Sequence, residues 1–266
     1  MTTTQTEVIE VRSPDGTRLG VERAGTGPAL VAVHGGIGDR SRWNLLKEHV
    51  ADRFTLHLLD RRGRGASTRE AQGPYALERE VEDVLAVIDA VGEPVRYLGH
   101  SYGALIGMEA LRRSDRIDRA LLYEPPFDTP GHTIIDGGLL DRIEAHIAAG
   151  DRDGGLEVFY REVLGADPTP FKDLPMWPIR IAIAHTIVRE GRIGLTYRCV
   201  PERFAGVTTP TRILLGTESP APFRGAAVAA AGAIASSEIV TLPGQGHTMI
   251  DADPEGFVRH VVDFLG

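Results

Sequence analysis

The segment Gly99-His100-Ser101-Tyr102-Gly103 has residue types and spacing that suit a nucleophilic serine. It follows a short apolar run at 95–98 and precedes a helical pattern at 102–113, so the serine is expected on a sharp strand-to-helix turn. Glycines two residues to either side leave room where side chains would clash. The start of the helix presents free N–H groups and the positive end of a dipole. We therefore predict that Ser101 is a nucleophile. The alternative is a connection that merely uses small residues.

His247 is the candidate base. It ends the segment Gly244-Gln245-Gly246-His247, which follows the last predicted strand and precedes the last predicted helix. Imidazole titrates near neutral pH, so a histidine on this loop is suited to take up and return the proton of a serine. None of the nine histidines has a metal-ligand spacing such as His-Glu-x-x-His, and we predict neither a metal nor another cofactor.

Two backbone N–H groups are candidates for stabilising an oxyanion. One belongs to Gly36, in the segment His34-Gly35-Gly36 just past the third predicted strand, and the other to Tyr102, the residue after the serine. Glycine at position 36 leaves the approach of a substrate carbonyl unobstructed. The alternative for this segment is a plain glycine turn.

The carboxylate that would orient the histidine has two candidates. Glu218 lies in Gly216-Thr217-Glu218-Ser219-Pro220, after one predicted strand, and Glu124 ends another in Tyr123-Glu124-Pro125-Pro126. For each residue the alternative is a helix-capping or surface carboxylate.

The elements that must position these residues alternate between strand and helix. An alternating hairpin at 7–12 and 17–23 opens the chain, and apolar runs follow at 29–33, 54–59, 95–99, 119–123, 211–215 and 238–242. Helical patterns occupy 42–51, 77–91, 102–113, 224–231 and 254–265. This order predicts an α/β fold, with a mostly parallel eight-stranded sheet and helices on both faces.

The interval 125–206 breaks this alternation. It has helical patterns at 139–149, 155–164 and 179–190 and contains several prolines, and no linker flanks it. We predict a helical lid inserted into a core formed by 1–124 and 207–266; the alternative is a separate second domain. The lid contains large apolar residues, which weakly favour an apolar or aromatic substrate: Phe127, Phe159, Phe171, Met176 and Trp177.

The motifs resemble those of the α/β-hydrolase superfamily over nearly the whole chain. The resemblance rests on the strand order and on His34-Gly35-Gly36, Asp60-Arg61-Arg62-Gly63-Arg64-Gly65, Gly99 to Gly103 and Gly246-His247. Most members of that superfamily have an Asp two or three residues past the glycine after the seventh strand, where this chain has Glu218 and Ser219. A minority branch, including zearalenone lactonase, has a Glu at the end of the sixth strand, the position of Glu124. Because an unpaired buried charge is costly, we favour Glu124 over Glu218.

The resemblance has two further implications. The segment Leu174-Pro175-Met176-Trp177 is similar to the lactonase lid, in which a tryptophan contacts the substrate ester. Trp177 is therefore a candidate substrate-binding residue, with a lid-core aromatic as the alternative. The loop with Arg61, Arg62 and Arg64 is structural in the superfamily, so we expect these arginines to pair with carboxylates; anion binding is the alternative.

The composition of the chain disfavours several kinds of partner and covalent cross-link. The chain has 266 residues and a formal net charge of −8, which disfavours nucleic acid as a partner. A single cysteine excludes an intramolecular disulfide. The N-terminal residues lack the pattern of a secretory signal, and no apolar run approaches the ~20 residues of a membrane span. We expect a cytoplasmic protein with a small-molecule substrate and no membrane partner, while the oligomeric state is open.

These features predict a serine hydrolase that cleaves a small apolar or aromatic ester, lactone or thioester through an acyl-enzyme. The same triad could also serve C–C bond hydrolysis, cofactor-free haloperoxidase chemistry or a biosynthetic cyclisation. A different class, a ligand-binding receptor or pseudoenzyme on the same scaffold, is the remaining alternative. Serine at position 101 disfavours dehalogenases and epoxide hydrolases with an aspartate nucleophile.

Overall fold

A computed structural model of the chain describes residues 6–67, 70 and 73–266. Within these ranges, eight strands form one sheet in the order β1-β2-β4-β3-β5-β6-β7-β8. The strands are β1 (Thr6–Arg12), β2 (Arg18–Gly25), β3 (Ala29–Val33), β4 (Thr55–Leu59), β5 (Val95–His100), β6 (Ile117–Tyr123), β7 (Thr211–Gly216) and β8 (Ser237–Leu242). β2 pairs antiparallel with β1 and with β4, and all other neighbours are parallel. The prediction of a mostly parallel eight-stranded sheet is confirmed.

Helices cover both faces of the sheet. Those outside the interval 125–206 are α1 (Asn44–Val50), α2 (Leu77–Val91), α3 (Tyr102–Leu111), α9 (Ala221–Ala233), α10 (Met249–Ala252) and α11 (Pro254–Leu265). Apolar residues of α2, α3 and α9 form one core with Val31 and Val33 of β3. Those of α1, α10 and α11 form a second core with Leu30 and Ala32, on the opposite face. β3 therefore reads as a continuous apolar run because both of its faces are covered.

The interval between β6 and β7 is helical. It contains α4 (Gly137–Ala148), α5 (Arg152–Val158), a π-helical turn (Phe159–Val163), α6 (Thr169–Lys172), α7 (Met176–Ile183), α8 (Thr186–Thr196) and a 3₁₀ turn (Pro201–Phe204). The sequence predicted one helix at 179–190, but the structure has a break between α7 and α8. There the Thr186 hydroxyl donates to the Ile183 carbonyl at 2.8 Å, and such bonds compete with the helical ladder.

The helices of this interval have a core of their own. Ile143, Leu156, Tyr160 and Trp177 are among its buried residues. The division into a core of 1–124 and 207–266 and a lid of 125–206 stays a prediction, and residues 1–5, 68–69 and 71–72 of that predicted core lie outside the described residues. In the described ranges, no helix has the length and apolar character needed to cross a membrane.

Candidate active site

Ser101 lies on a strained turn between β5 and α3. Its backbone has φ 55° and ψ −123°, a conformation that costs a non-glycine residue free energy, and its N–H donates to the Tyr123 carbonyl at 2.8 Å. The turn requires the flanking glycines. A Cβ at Gly99 would lie 2.6 Å from the Gly103 carbonyl oxygen, and one at Gly103 would lie 2.1 Å from that of Val33. The structure therefore contains the strand-to-helix turn that the sequence predicts.

Glu124 lies directly after β6 and is fully buried. Its Oε2 lies 2.5 Å from Nδ1 of His247, on the loop after β8. Its Oε1 accepts hydrogen bonds from the Gly216 N–H at 2.7 Å and from the Ser219 hydroxyl at 2.6 Å. The carboxylate thus has three donors, which compensate for its removal from water.

The other candidate acid, Glu218, is exposed and accepts a hydrogen bond from the Thr217 hydroxyl at 3.2 Å. The structure brings Glu124, and not Glu218, into contact with His247. Sequence reasoning missed Ser219, which lies in the window where most superfamily members have their acid. The available signal was a hydroxyl residue in that window, directly after Glu218.

The imidazole of His247 packs against two neighbouring rings. Phe223 stacks on it at a centroid distance of 4.3 Å, and the His100 ring lies at 4.8 Å. Burial, and then the neighbouring His247 and Arg42, hold the pKa of His100 well below its usual range. Neutral His100 donates from Nε2 to the His247 carbonyl at 3.0 Å, because a carbonyl oxygen only accepts. His100 thereby fixes the loop without opposing an added charge on His247.

The candidate oxyanion donors Gly36 and Tyr102 line the same cavity as Ser101 and His247. The orientation of the Gly36 N–H follows from its peptide unit, since the carbonyl of that unit belongs to Gly35. That carbonyl accepts from Arg61 Nη1 at 2.9 Å and from His34 Nδ1 at 2.9 Å. In a trans peptide the N–H points away from the carbonyl, so these two bonds set its direction.

The arginines of the loop after β4 are paired with carboxylates, as the sequence analysis expected. The ion pairs are Arg61–Glu80, Arg61–Glu190, Arg62–Asp83, Arg62–Asp15 and Arg64–Glu190. Burial raises the pKa of Glu80, but the charge and hydrogen bond of Arg61, together with the charges of Arg64 and Arg189, outweigh burial and lower that pKa to about 2. We call the buried group Arg61, Arg64, Glu80 and Glu190 the arginine cluster.

Glu190 is a cavity residue that sequence reasoning missed. It lies on α8, lines the cavity and bonds both Arg61 and Arg64. Arg64 in turn donates to the Gly36 carbonyl at 2.6 Å. The signal was its spacing: Glu190 follows Ile187 by three residues on the buried face of α8, where a charged residue is unexpected.

Trp177 is absent from the lining of the cavity above Ser101, and its role as a substrate-binding residue stays a prediction. Its indole N–H donates to Asp153 Oδ1 at 2.8 Å, and its ring packs against Tyr160 at 5.4 Å within the helical segment. It is 4% exposed and is not among the residues that line the cavity. These contacts favour the alternative, an aromatic residue in the core of the helical segment.

The cavity above Ser101 has mostly apolar walls. They include Ile37, Ile134, Ile135, Phe159, Val163, Leu164, Ile187 and Phe223. Arg42, Arg180 and Asp251 form a charged part of the lining. Among the described residues, no group of three or more histidine, cysteine or acidic side chains is arranged to hold a metal ion.

Known proteins share this architecture. Residues 30–260 match the model of the alpha/beta hydrolase family. An alpha/beta hydrolase from Sphaerobacter thermophilus is 33% identical, with a TM-score of 0.83 over 97% of this chain and 100% of that one. An esterase from Exiguobacterium antarcticum, 22% identical, has a TM-score of 0.79 over 97% of this chain and 98% of that one.

A curated relative matches only in part. The probable oxidoreductase EphD of Mycobacterium tuberculosis is 28% identical over 196 residues, which are 69% of this chain and 32% of that protein. The chain thus matches about a third of the length of this relative. The family model and the Sphaerobacter hydrolase extend over most of the chain, and the chain therefore belongs to the alpha/beta hydrolase family.

Proposed function

We propose that the chain is a serine hydrolase that cleaves a small ester, lactone or thioester through an acyl-enzyme. The observation that carries this proposal is the 2.5 Å contact between Glu124 and Nδ1 of His247, at a cavity that Ser101 also lines. With Nδ1 engaged, Nε2 is the nitrogen left to serve Ser101. A nucleophile, a base and a buried acid in this order are the parts that acyl transfer needs.

In the first step, Ser101 Oγ attacks the substrate carbonyl carbon while Nε2 of His247 takes the hydroxyl proton. Glu124 keeps its bond to Nδ1–H and stabilises the imidazolium without itself being protonated. The N–H groups of Gly36 and Tyr102 donate hydrogen bonds to the carbonyl oxygen and stabilise the negative charge that develops on it. A single donor of this kind typically contributes about 3 kcal/mol to the stability of the transition state.

In the second half, the tetrahedral intermediate collapses and His247 returns its proton to the leaving alcohol, thiol or ring oxygen. Water then attacks the acyl group as Nε2 takes one of its protons, and collapse of this second intermediate gives that proton back to Ser101 Oγ. The products are the carboxylic acid and the regenerated serine.

The helices of 125–206 are proposed to act as a cover for this chemistry. Ile134, Val163 and Ile187, which come from this interval, supply apolar walls. Such walls exclude water and strengthen the interactions at the oxyanion. They also favour an acyl group that is largely apolar.

The proposal is tested by the initial rates of hydrolysis of p-nitrophenyl butyrate and δ-valerolactone. We expect turnover by the wild type and a loss of at least about a thousandfold in Ser101→Ala, because the nucleophile is absent. Ser114→Ala, beyond the far end of α3, is the matched control and is expected to keep the wild-type rate. Equal rates in wild type and Ser101→Ala would contradict the proposal.

A further inference from the structure

Arg180 is a buried cation in the wall of the catalytic cavity. It lies on α7, is 7% exposed and lines the cavity together with Ser101 and His247. A guanidinium has five N–H donors and remains charged at any ordinary pH. A cation in such a place needs acceptors and a counterion, because removing it from water is costly.

The protein supplies Arg180 with few acceptors. Nη1 donates to the Tyr160 hydroxyl, and this is the only hydrogen bond of the guanidinium among the described residues. Nη2 lies 3.9 Å from Asp251 Oδ2, which is too long for a hydrogen bond. The aromatic rings of Tyr160 and Phe171 lie 5.7 and 5.8 Å from the guanidinium carbon.

Asp251 is shared between two cations. Its Oδ1 accepts a hydrogen bond from Nη1 of Arg42, a second arginine in the cavity wall. Asp39 also attracts Arg180, but it lies outside the cavity lining and accepts a hydrogen bond from the Ser41 N–H at 2.9 Å. This part of the cavity wall therefore contains two guanidinium groups, Arg42 and Arg180, and one carboxylate, Asp251, that they share.

The other ionisable residues of the cavity do not balance this charge. Glu190 is bonded to Arg61 and Arg64 in the arginine cluster, which has two positive and two negative members. His247 is engaged by Glu124, which lies behind it. Burial and, less strongly, the charge of Arg42 lower the pKa of Arg180, as expected for a cation without a full counterion.

We infer that Arg180 and Arg42 together bind a carboxylate of the substrate. The ester or lactone cleaved at Ser101 then carries a free, negatively charged carboxylate in addition to the bond that is cleaved. This inference rests on the proposed function. A guanidinium fork matches a carboxylate in a bidentate geometry. The unbalanced charge in the wall is about one, which suits a monoanion better than a doubly charged phosphate. The apolar walls then contact the hydrocarbon chain of the substrate, between its free carboxylate and the bond that is cleaved.

The test compares two esters of equal length, mono-p-nitrophenyl adipate and p-nitrophenyl hexanoate, which differ only in a terminal carboxylate. After correction for spontaneous hydrolysis, we expect the wild type to have the higher kcat/KM for the adipate ester. In Arg180→Gln we expect the adipate-to-hexanoate ratio of kcat/KM to fall about 10- to 100-fold, because a charge-assisted bond is lost.

Arg142→Gln is the matched control, since it removes an exposed arginine of α4 that pairs with Glu162. It is expected to keep the wild-type ratio. Arg180→Lys retains the charge without the fork and is expected to have an intermediate ratio. A wild type that prefers the hexanoate ester, or a ratio that Arg180→Gln leaves unchanged, would overturn the inference.

A binding measurement decides the matter where Arg180→Gln does not fold. Calorimetric titration of Ser101→Ala with monomethyl adipate and with methyl hexanoate compares an anionic and a neutral ester of the same length, neither of which is turned over. We expect monomethyl adipate to bind at least about tenfold more tightly, and equal affinities would overturn the inference. This readout is independent of turnover. If the wild type cleaves neither ester, the proposed function is contradicted. If it cleaves both esters equally well, only the role of Arg180 is contradicted.

Discussion

Two groups of buried charge lie beside the cavity, and they differ in what their partners can do. In the first, Glu124 is bonded to His247, whose imidazole can take up and release a proton and lines the cavity. In the arginine cluster, Arg61 and Arg64 are paired with carboxylates that hold them in one charge state. Both groups are buried, but only the first contains a side chain that can exchange a proton with a ligand.

The comparison teaches that burial of charge does not by itself mark a catalytic group. The arginine cluster contributes to the proposed reaction by fixing the backbone of the oxyanion loop. Arg61 donates a hydrogen bond to the Gly35 carbonyl, and Arg64 donates one to the Gly36 carbonyl. We therefore regard it as a positioning group for the oxyanion loop. Substitutions in the two groups are expected to affect turnover and stability in different proportions.

The largest effect is expected from Glu124→Gln. An amide cannot stabilise the imidazolium of His247 and favours the wrong tautomer, so kcat should fall about 10⁴-fold, as for the comparable substitution in serine proteases. The isosteric change keeps the packing, and steady-state rates on p-nitrophenyl butyrate measure it.

Glu218→Gln is the matched control, because Glu218 is exposed and does not contact His247. We expect its kcat to remain within about twofold of the wild type, since surface substitutions usually have small effects. The reverse order of the two variants would show that Glu218 is the acid.

Glu190→Gln is expected to act mainly on stability. It leaves Arg61 and Arg64 short of one negative charge in the protein interior, which should cost about 3–5 kcal/mol of the free energy of unfolding. Urea denaturation measures this loss. Glu144→Gln removes the exposed pair with Arg192 and should cost at most about 1 kcal/mol. Equal losses in the two variants would mean that the arginine cluster is not a buried ion network.

Ser219→Ala gives a smaller effect on the catalytic group. It removes one of the three donors to Glu124 and leaves the bonds from Gly216 and His247 in place. The loss of one hydrogen bond to a charged group predicts roughly a tenfold fall in kcat. Ser219→Thr retains a hydroxyl and should recover part of the rate. Recovery by Thr without a change in Tm would separate orientation of Glu124 from general stability.

The smallest effect is a dependence of stability on mildly acidic pH. Burial lowers the pKa of His34, beside the arginine cluster, and of His100, beside the catalytic group, and it lowers that of His57 to about 4. These residues are neutral in the fold but take up a proton below about pH 6.5 when the chain unfolds. Stability should therefore fall as the pH drops from about 6.5, by at most about 1.4 kcal/mol per pH unit for each histidine.

Urea denaturation of the wild type, His34→Gln and His100→Gln at pH 7.5, 6.5 and 5.5 measures this slope. Each variant should have a shallower slope than the wild type, and His49→Gln, at an exposed position, is the matched control. Slopes that are identical in all four proteins would contradict the prediction.

The sequence predicted the sheet well because its signal is local. α2 was expected at 77–91 and is observed at Leu77–Val91, where it ends at Gly92 with φ 83°. Ser101 and His247 were likewise predicted as site residues from the strand and helix that flank each of them, and the structure places both in the lining of one cavity. Glu124 had a weaker signal, a carboxylate at the end of an apolar run, and needed a resemblance to be favoured over Glu218.

The remaining parts of the site could not be predicted, because they depend on distant segments coming together. Glu190 contacts Arg61 across 129 residues of sequence, and Arg180 meets Asp251 only in the fold. The contacts of Trp177 could not be predicted for the same reason. Its predicted role came from the resemblance of a four-residue segment to the lactonase lid. In the structure, its indole N–H donates to Asp153 within the helical segment.

The account rests on an activated serine at position 101, and the most direct test is labelling with a fluorophosphonate probe, measured by intact mass and peptide mapping. The account predicts one adduct per chain on the peptide that contains Ser101, none on Ser101→Ala, and much slower labelling of Glu124→Gln than of Glu218→Gln. A folded wild-type sample that gains no adduct, or gains it on another residue, would contradict the account.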